Sequence, residues 1–193
     1  IWRKSRRLQL PASQSWMPWS MRNYRFMILP ILTYPNKILR KPTEPVVFPL
    51  SKEVQKLTKD MIDTVRNADG IGLAAPQVGK SLKIIVINLE KNGVPLMALY
   101  NPKVVSRSLK RIDIEEGCLS IPKVFGMVRR PKKVIVEAWN ADGKKVKFSD
   151  DGWISRVAQH EIDHINGILI IDLIKKYTQG EEIVADWKKE KLL

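Results

Sequence analysis

The segment Gln159-His160-Glu161-Ile162-Asp163-His164, read QHEIDH, organises the reading of the whole chain. It contains H-E-x-x-H. On a helix, positions i and i+4 share a face, so His160 and His164 can reach one ion. Glu161, beside the first histidine, can then reach a water at that ion without ligating it. The spacing predicts a helix over about 153–165, with Asp150 or Asp151 before it and Gly167 after it. Val157 and Trp153 fall one and two turns earlier on roughly the same side, as core or pocket wall. A five-residue pattern also arises by chance, and two helical histidines can be ordinary surface or core residues. Economy argues for a site: the chain has 2 histidines, and both lie in this motif.

A hydrolytic metal site usually takes three protein ligands plus water. No third histidine exists, and the chain has 1 cysteine, Cys118, within EGCLS at 116–120. A lone cysteine is commonly a small buried hydrophobe. Here Gly117 frees the backbone beside the sulfur, and the acidic pair Glu115-Glu116 precedes it. That pair is unusual for a core strand and suits a turn presenting a thiolate. A third segment, GIGLAAPQ at 70–77, lets something approach the main chain closely through its small residues. By itself it reads as a plain helix stop and loop. It is no phosphate loop, since it lacks the GK[ST] ending.

Outward from these motifs, prolines 30, 35, 42, 45 and 49 punctuate an extended leading segment. Ser51 then caps a helix whose Val54, Leu57, Met61, Ile62 and Val65 share one face, with Gly70 as its stop. Strands are expected at 82–89, 96–100, 104–114, 134–139 and 146–148, with turns at Asn92-Gly93 and Asp142-Gly143. A charged final helix is expected around 181–189.

Composition bounds the class. A chain of 193 residues fits one domain, and 44% hydrophobic content supports a core. Charged residues make up 28%, and no apolar run reaches the ~18 residues of a membrane span. One cysteine excludes an internal disulfide and suits a reducing compartment. The net charge is +14, but residues 1–26 hold six basic residues and no acid, leaving +8 on 27–193. Scattered surface charge explains that excess; an anionic partner such as ribosomal RNA is the other reading. The first 26 residues carry Trp2, Trp16 and Trp19 without a clean period. They read as a transit-like extension, as an arm packed on the domain, or, given Ile1, as a cloning or upstream-translation artefact with the start at Met21 or Met27.

Taken in order, GIGLAAPQ, EGCLS and QHEIDH resemble the GxGxAAxQ, EGCxS and QHExDH motifs of peptide deformylases. The leading segment 28–46 is also similar, so the resemblance spans about 27–180, with 27–193 as the catalytic domain. It implies an α+β fold with antiparallel β-sheets around a central helix that bears the histidines. It implies a metal-dependent hydrolase that removes the N-formyl group from the N-terminal methionine of newly synthesised proteins. Cys118, His160 and His164 become ligands to one divalent ion, Fe²⁺ favoured, with Zn²⁺ or Ni²⁺ able to substitute. Glu161 becomes the acid/base. Gln77 and the Leu119 backbone N–H would face the formyl oxygen, Gly72 and Ile71 would line the peptide groove, and Ile71, Trp153 and Val157 would form the methionine pocket. The partners implied are N-formyl-methionyl nascent polypeptides, with ribosome contact through Lys188, Lys189 and Lys191, and no membrane. The location implied is the bacterial cytoplasm, or an organelle if residues 1–26 are a transit peptide.

Two rivals share the same residues. A metallopeptidase would use the same helix with a carboxylate as third ligand. A basic RNA- or ribosome-binding protein would use Cys118, His160 and His164 structurally, but closed structural sites usually need four protein ligands.

Overall fold

The computed structural model describes residues 27–68 and 70–190. The expectations for residues 1–26, and for Lys191, lie outside the described residues. Along the chain come α1 (Lys52–Asn67), β1 (Gly72–Ala74), β2 (Ile84–Ile87), β3 (Met97–Arg107), β4 (Arg111–Cys118), β5 (Ile121–Pro131), β6 (Val134–Trp139), β7 (Lys145–Asp150), α2 (Trp153–Ile165), β8 (Ile174–Gln179) and α3 (Glu181–Lys189). The strands form a five-stranded sheet in the order β1-β2-β3-β6-β7 and a three-stranded sheet in the order β4-β5-β8. Every strand pairing within them is antiparallel.

The period-2 alternation of side chains gives the large sheet two apolar faces. Ile85, Ile87, Met97, Leu99, Val134, Val136, Val146 and Phe148 point to one side and pack with Ile154, Val157, Ala158, Ile162 and Ile165 of α2. Leu73, Ile84, Val86, Ala98 and Tyr100 point to the other and meet Leu57, Met61, Ile62 and Val65 of α1. The residues expected to form one helical face are thus the buried stripe of α1. Its cap is also as read: the Ser51 side chain accepts from the Val54 N–H at 3.3 Å. The α2 helix begins at Gly152, which has no side chain to cap with. Asp150 does that work instead, its Oδ2 accepting from the Gly152 and Ser155 N–H groups, each at 2.8 Å. A carboxylate there also complements the positive end of the helix.

The structure departs from the sequence reading in three places. The expected strand at 104–114 is the end of β3 and the start of β4, because the chain turns at Ser108–Lys110 and passes to the other sheet. There the Ser108 N–H bonds the Lys133 carbonyl at 2.9 Å. The GIGLAAPQ segment is no plain loop: its Gly72–Ala74 stretch is the edge strand β1, paired with Ile85–Ile87. Strands β5 and β8 were not expected. Burial along β5 alternates only loosely, and β8 is mostly exposed, so neither shows a clean two-residue period.

The leading segment positions the site. It runs extended across two of the motifs, its Leu32 N–H bonding the Gln77 carbonyl and its Tyr34 N–H the Ser120 carbonyl, each at 2.8 Å. Two loops that are far apart in sequence are thereby held side by side.

Candidate metal centre

Helix α2 passes between the two sheets, and its faces divide the labour. The apolar stripe binds the large sheet. A second stripe, Arg156, His160 and Asp163, faces the small sheet at i, i+4 and i+7. The EGCLS motif, at the end of β4, brings Cys118 to this stripe. The register of β4 on β5 shifts between Gly117 and Cys118, so the chain turns tightly through Leu119 and Ser120. A Cβ on Gly117 would lie 2.6 Å from Phe125 Cδ1, so any other residue there displaces that ring.

The thiol and both imidazoles meet. The ligand atoms of Cys118, His160 and His164 all lie within 4.8 Å of one another. Cys118 Sγ is 3.1 Å from His164 Nε2. His160 Nδ1 is 3.0 Å from Glu116 Oε2, which leaves its Nε2 toward the thiol side. Fixing one ring nitrogen on a carboxylate is how metal-ligating histidines are commonly oriented. The donor set of one soft thiolate and two imidazoles suits a tetrahedral divalent ion with an open fourth position. A buried nitrogen, His164 Nδ1, and a buried oxygen, Glu161 Oε2, have no hydrogen-bond partner among the described residues. The two imidazoles differ electrostatically. Burial and the neighbouring His160 hold His164 well below the ordinary histidine range. Burial also opposes charge on His160, but hydrogen bonds to Cys118 and Glu116 hold it well above that range. Metal ligation requires its proton to leave.

Glu161 lines the same cavity as Cys118 and His160, against Gly72 of β1. A Cβ on Gly72 would overlap Glu161 Oε1 and lie 2.8 Å from both Glu161 Cδ and Val157 Cγ1. Burial pushes the Glu161 carboxyl up to about 7. Gln77 follows β1 in a short 3₁₀ turn, and its amide is oriented by its neighbours. Its Oε1 accepts from the Ala74 N–H at 2.8 Å. Its Nε2 therefore points inward, 3.2 Å from Ser120 Oγ and 3.7 Å from Cys118 Sγ. A cavity of about 560 Å³ opens over this group. Ile71, Gly72, Gln77, Cys118, Leu119, Trp153, Val157, His160 and Glu161 all line it. His164, buried behind, is the one expected site residue that does not.

Sequence reasoning missed the support of this site. Glu116 accepts from Arg130 through both oxygens, Nε at 2.7 Å and Nη2 at 3.0 Å, and from Arg156 Nη1 at 2.8 Å. Arg130 also pairs with Asp163, and Arg156 reaches the Val128 and Ile112 carbonyls at 3.1 Å. Burial opposes charge on Glu116, but His160 and Arg130 hold it well below the usual carboxylate range. A buried carboxylate is tolerated because it is paired and fully bonded. The signal was present, since an acidic residue next to a buried strand end demands such partners, but its partners are 14 and 40 residues away.

Comparisons with known proteins identify the family. Residues 28–180 match the family model described as polypeptide deformylase. The chain is 41% identical over 164 residues to a peptide deformylase of Brucella suis, covering 84% of this chain and 93% of that protein. It is similar to the crystal structure of the Thermotoga maritima peptide deformylase, with TM-score 0.73, 37% identity, and 77% and 99% of the two chains covered. It is also similar to an Acinetobacter baumannii peptide deformylase with Met-Ala-Ser bound, with TM-score 0.72, 31% identity, and 78% and 100% covered. With three ordered motifs, an α+β fold and a thiol–imidazole cluster in one cavity, the chain belongs to the polypeptide deformylase family, the metal-dependent hydrolases that remove N-formyl groups from nascent peptides.

Proposed function

We propose that the deformylase activity of this chain is carried by Cys118, His160 and His164 as ligands of one divalent ion and by Glu161 as the proton carrier. The observation behind this reading is the convergence of the three ligand atoms within 4.8 Å at the floor of the cavity. When bound, such an ion supplies Lewis acidity, making hydroxide available near neutral pH and polarising a carbonyl. Glu161, buried at the cavity wall, takes a proton from the attacking water and later delivers it to the departing peptide nitrogen. Gln77 Nε2 and the Leu119 N–H donate to the formyl oxygen as negative charge grows on it. Losing one donor of that kind typically costs ~10²–10³-fold in rate. Formate and a free N-terminus are the products.

Ile71, Gly72, Trp153 and Val157 serve the peptide and its methionine. The similar A. baumannii enzyme binds Met-Ala-Ser, a peptide that begins with methionine. Residues 27–193 act as the catalytic domain, and residues 1–26 as an extension outside the chemistry. Lys188 and Lys189, on α3, and Lys191 beyond it serve ribosome contact. No helix among the described residues is long and apolar enough to cross a membrane. The protein works in the bacterial cytoplasm, or in an organelle if its first 26 residues act as a transit peptide.

Fe²⁺ is the working metal, and Zn²⁺ or Ni²⁺ substitutes. A ferrous ion beside a thiolate is open to oxidation, as is the thiolate itself. The test is formate release from formyl-Met-Ala-Ser by matched iron- and zinc-loaded protein, with Cys118→Ala alongside. Iron-loaded protein is expected to be faster and to lose activity in air, zinc-loaded protein slower and durable, and Cys118→Ala to lose its metal. Equal rates and equal air stability remove the case for iron. A Cys118→Ala protein with full metal content removes the ligand assignment.

A further inference from the structure

The large sheet turns one face to α2 and the catalytic cavity. On its other face, α1 covers β1, β2 and the first half of β3 through the contacts given above. Beyond Phe48 and Trp139, that face continues over β3, β6 and β7, and its side chains there are cationic. The register sets Lys103 opposite Glu137, Glu137 opposite Lys147, and Trp139 opposite Lys145. Odd-numbered residues of β6 and β7 point to this side, because Val134, Val136, Val146 and Phe148 pack against α2. Together these side chains line a hollow of about 460 Å³.

The charges in the hollow do not balance. Glu137 is shared by Lys103 at 3.4 Å and Lys147 at 3.0 Å, and those lysines are 68% and 61% exposed. The third ammonium, Lys145 Nζ, lies 5.2 Å from the centroid of the Trp139 ring. Phe48 closes on Trp139 at 5.5 Å. A half-buried tryptophan thus gives Lys145 a rigid seat. Three lysines answer one carboxylate. Two residues along a strand span ~6.8 Å, and two strand spacings span roughly 10 Å. Lys145 and Lys147 therefore stand about one phosphate step of an extended RNA strand apart, and Lys103 lies roughly 10 Å from Lys147 across the sheet. No apolar side chain of the hollow reaches outward as a lipid anchor would, since its one aromatic is the half-buried Trp139.

We propose that this face is an RNA-binding surface, in which Lys103, Lys145 and Lys147 neutralise phosphates of the backbone and Trp139 seats Lys145. It lies on the opposite side of the sheet from α2, so RNA and a formylated peptide bind at once. A nascent chain is made on an RNA-built machine, and a second site behind the sheet holds the enzyme there without blocking its cavity.

The test uses the full chain in its metal-loaded form and a fluorescently labelled 20-nucleotide oligouridylate, followed by anisotropy between 50 and 200 mM KCl. Three phosphate contacts on a single strand predict a log–log salt slope of about −2, a roughly 20-fold loss of affinity over that range. The triple variant K103E/K145E/K147E should lose binding, while K103R/K145R/K147R keeps it. Glu137→Gln should tighten binding several-fold by freeing the shared lysines. Formate release should be unchanged in all of them, which also shows that they are folded. RNA affinity unaltered in the folded triple glutamate variant overturns the proposal. So does binding of this face to anionic phospholipid vesicles with no affinity for RNA.

Discussion

Gly72→Ala is the sharpest probe of the catalytic arrangement, because one methyl group is set against one carboxylate. The new Cβ would overlap Glu161 Oε1 and sit 2.8 Å from Glu161 Cδ. Carbon contacts settle at about 3.5–4.0 Å, so the carboxylate must withdraw by roughly 1 Å. The strand cannot yield instead, since Gly72, Leu73 and Ala74 are paired with Ile87, Val86 and Ile85. Val157 Cγ1, also 2.8 Å away, closes the other direction. Misplacing a reacting group by 1 Å can cost about 10²-fold in rate. The expected result is therefore a kcat about 100-fold lower, or ~2.7 kcal/mol in the barrier. Overpacking costs ~1–3 kcal/mol of stability. Replacing glycine returns about 0.4–1 kcal/mol of that through the unfolded chain. A net loss of about 1–2 kcal/mol lowers Tm by roughly 2–8 °C. The assay is formate release from formyl-Met-Ala-Ser, with metal content measured on the same sample. A lowered kcat with full metal content is the expected signature. Wild-type kcat in a folded, metal-replete variant would refute the view that Glu161 is held at this place to move protons.

Three further outcomes are expected. Glu161→Ala should abolish hydrolysis yet keep the metal, since Cys118, His160 and His164 survive; an empty site on metal analysis would make Glu161 structural. Glu116→Gln removes the acceptor that orients His160 and leaves Arg130 and Arg156 without their buried carboxylate. Metal affinity should fall about 10–100-fold in a chelator competition. Stability should fall by about 3–5 kcal/mol in denaturant unfolding, and no change in either would deny it a supporting role. Deleting residues 1–26 should leave activity and Tm nearly unchanged, because every group assigned to the chemistry lies after Gly70; a much lower Tm would show that the extension packs on the domain.

What the sequence determined by itself was local. The helix over 153–165 was legible because its period, its aspartate start and its glycine stop are all set within a few residues, and α2 runs over Trp153–Ile165. The spacing of His160 and His164 follows from helical geometry alone. The same holds for α1, with its Ser51 cap and apolar stripe, and for α3, found at Glu181–Lys189. The turn that divides β3 from β4 was not legible, since the apolar content of 104–114 continues through it while the backbone changes sheets. Nor was the identity of Gly72–Ala74 as a strand, because three residues carry no period and their pairing with β2 is non-local. Only the tertiary structure decided that Cys118 stands 3.1 Å from His164, 46 residues away. It also decided that Glu116, Arg130 and Arg156 form one buried network beside His160, with the half-buried Asp163 at its edge. Such contacts depend on how strands from two sheets stack on one helix. Burial then selects the charged groups that can share one low-dielectric space, and no spacing along the chain encodes that choice.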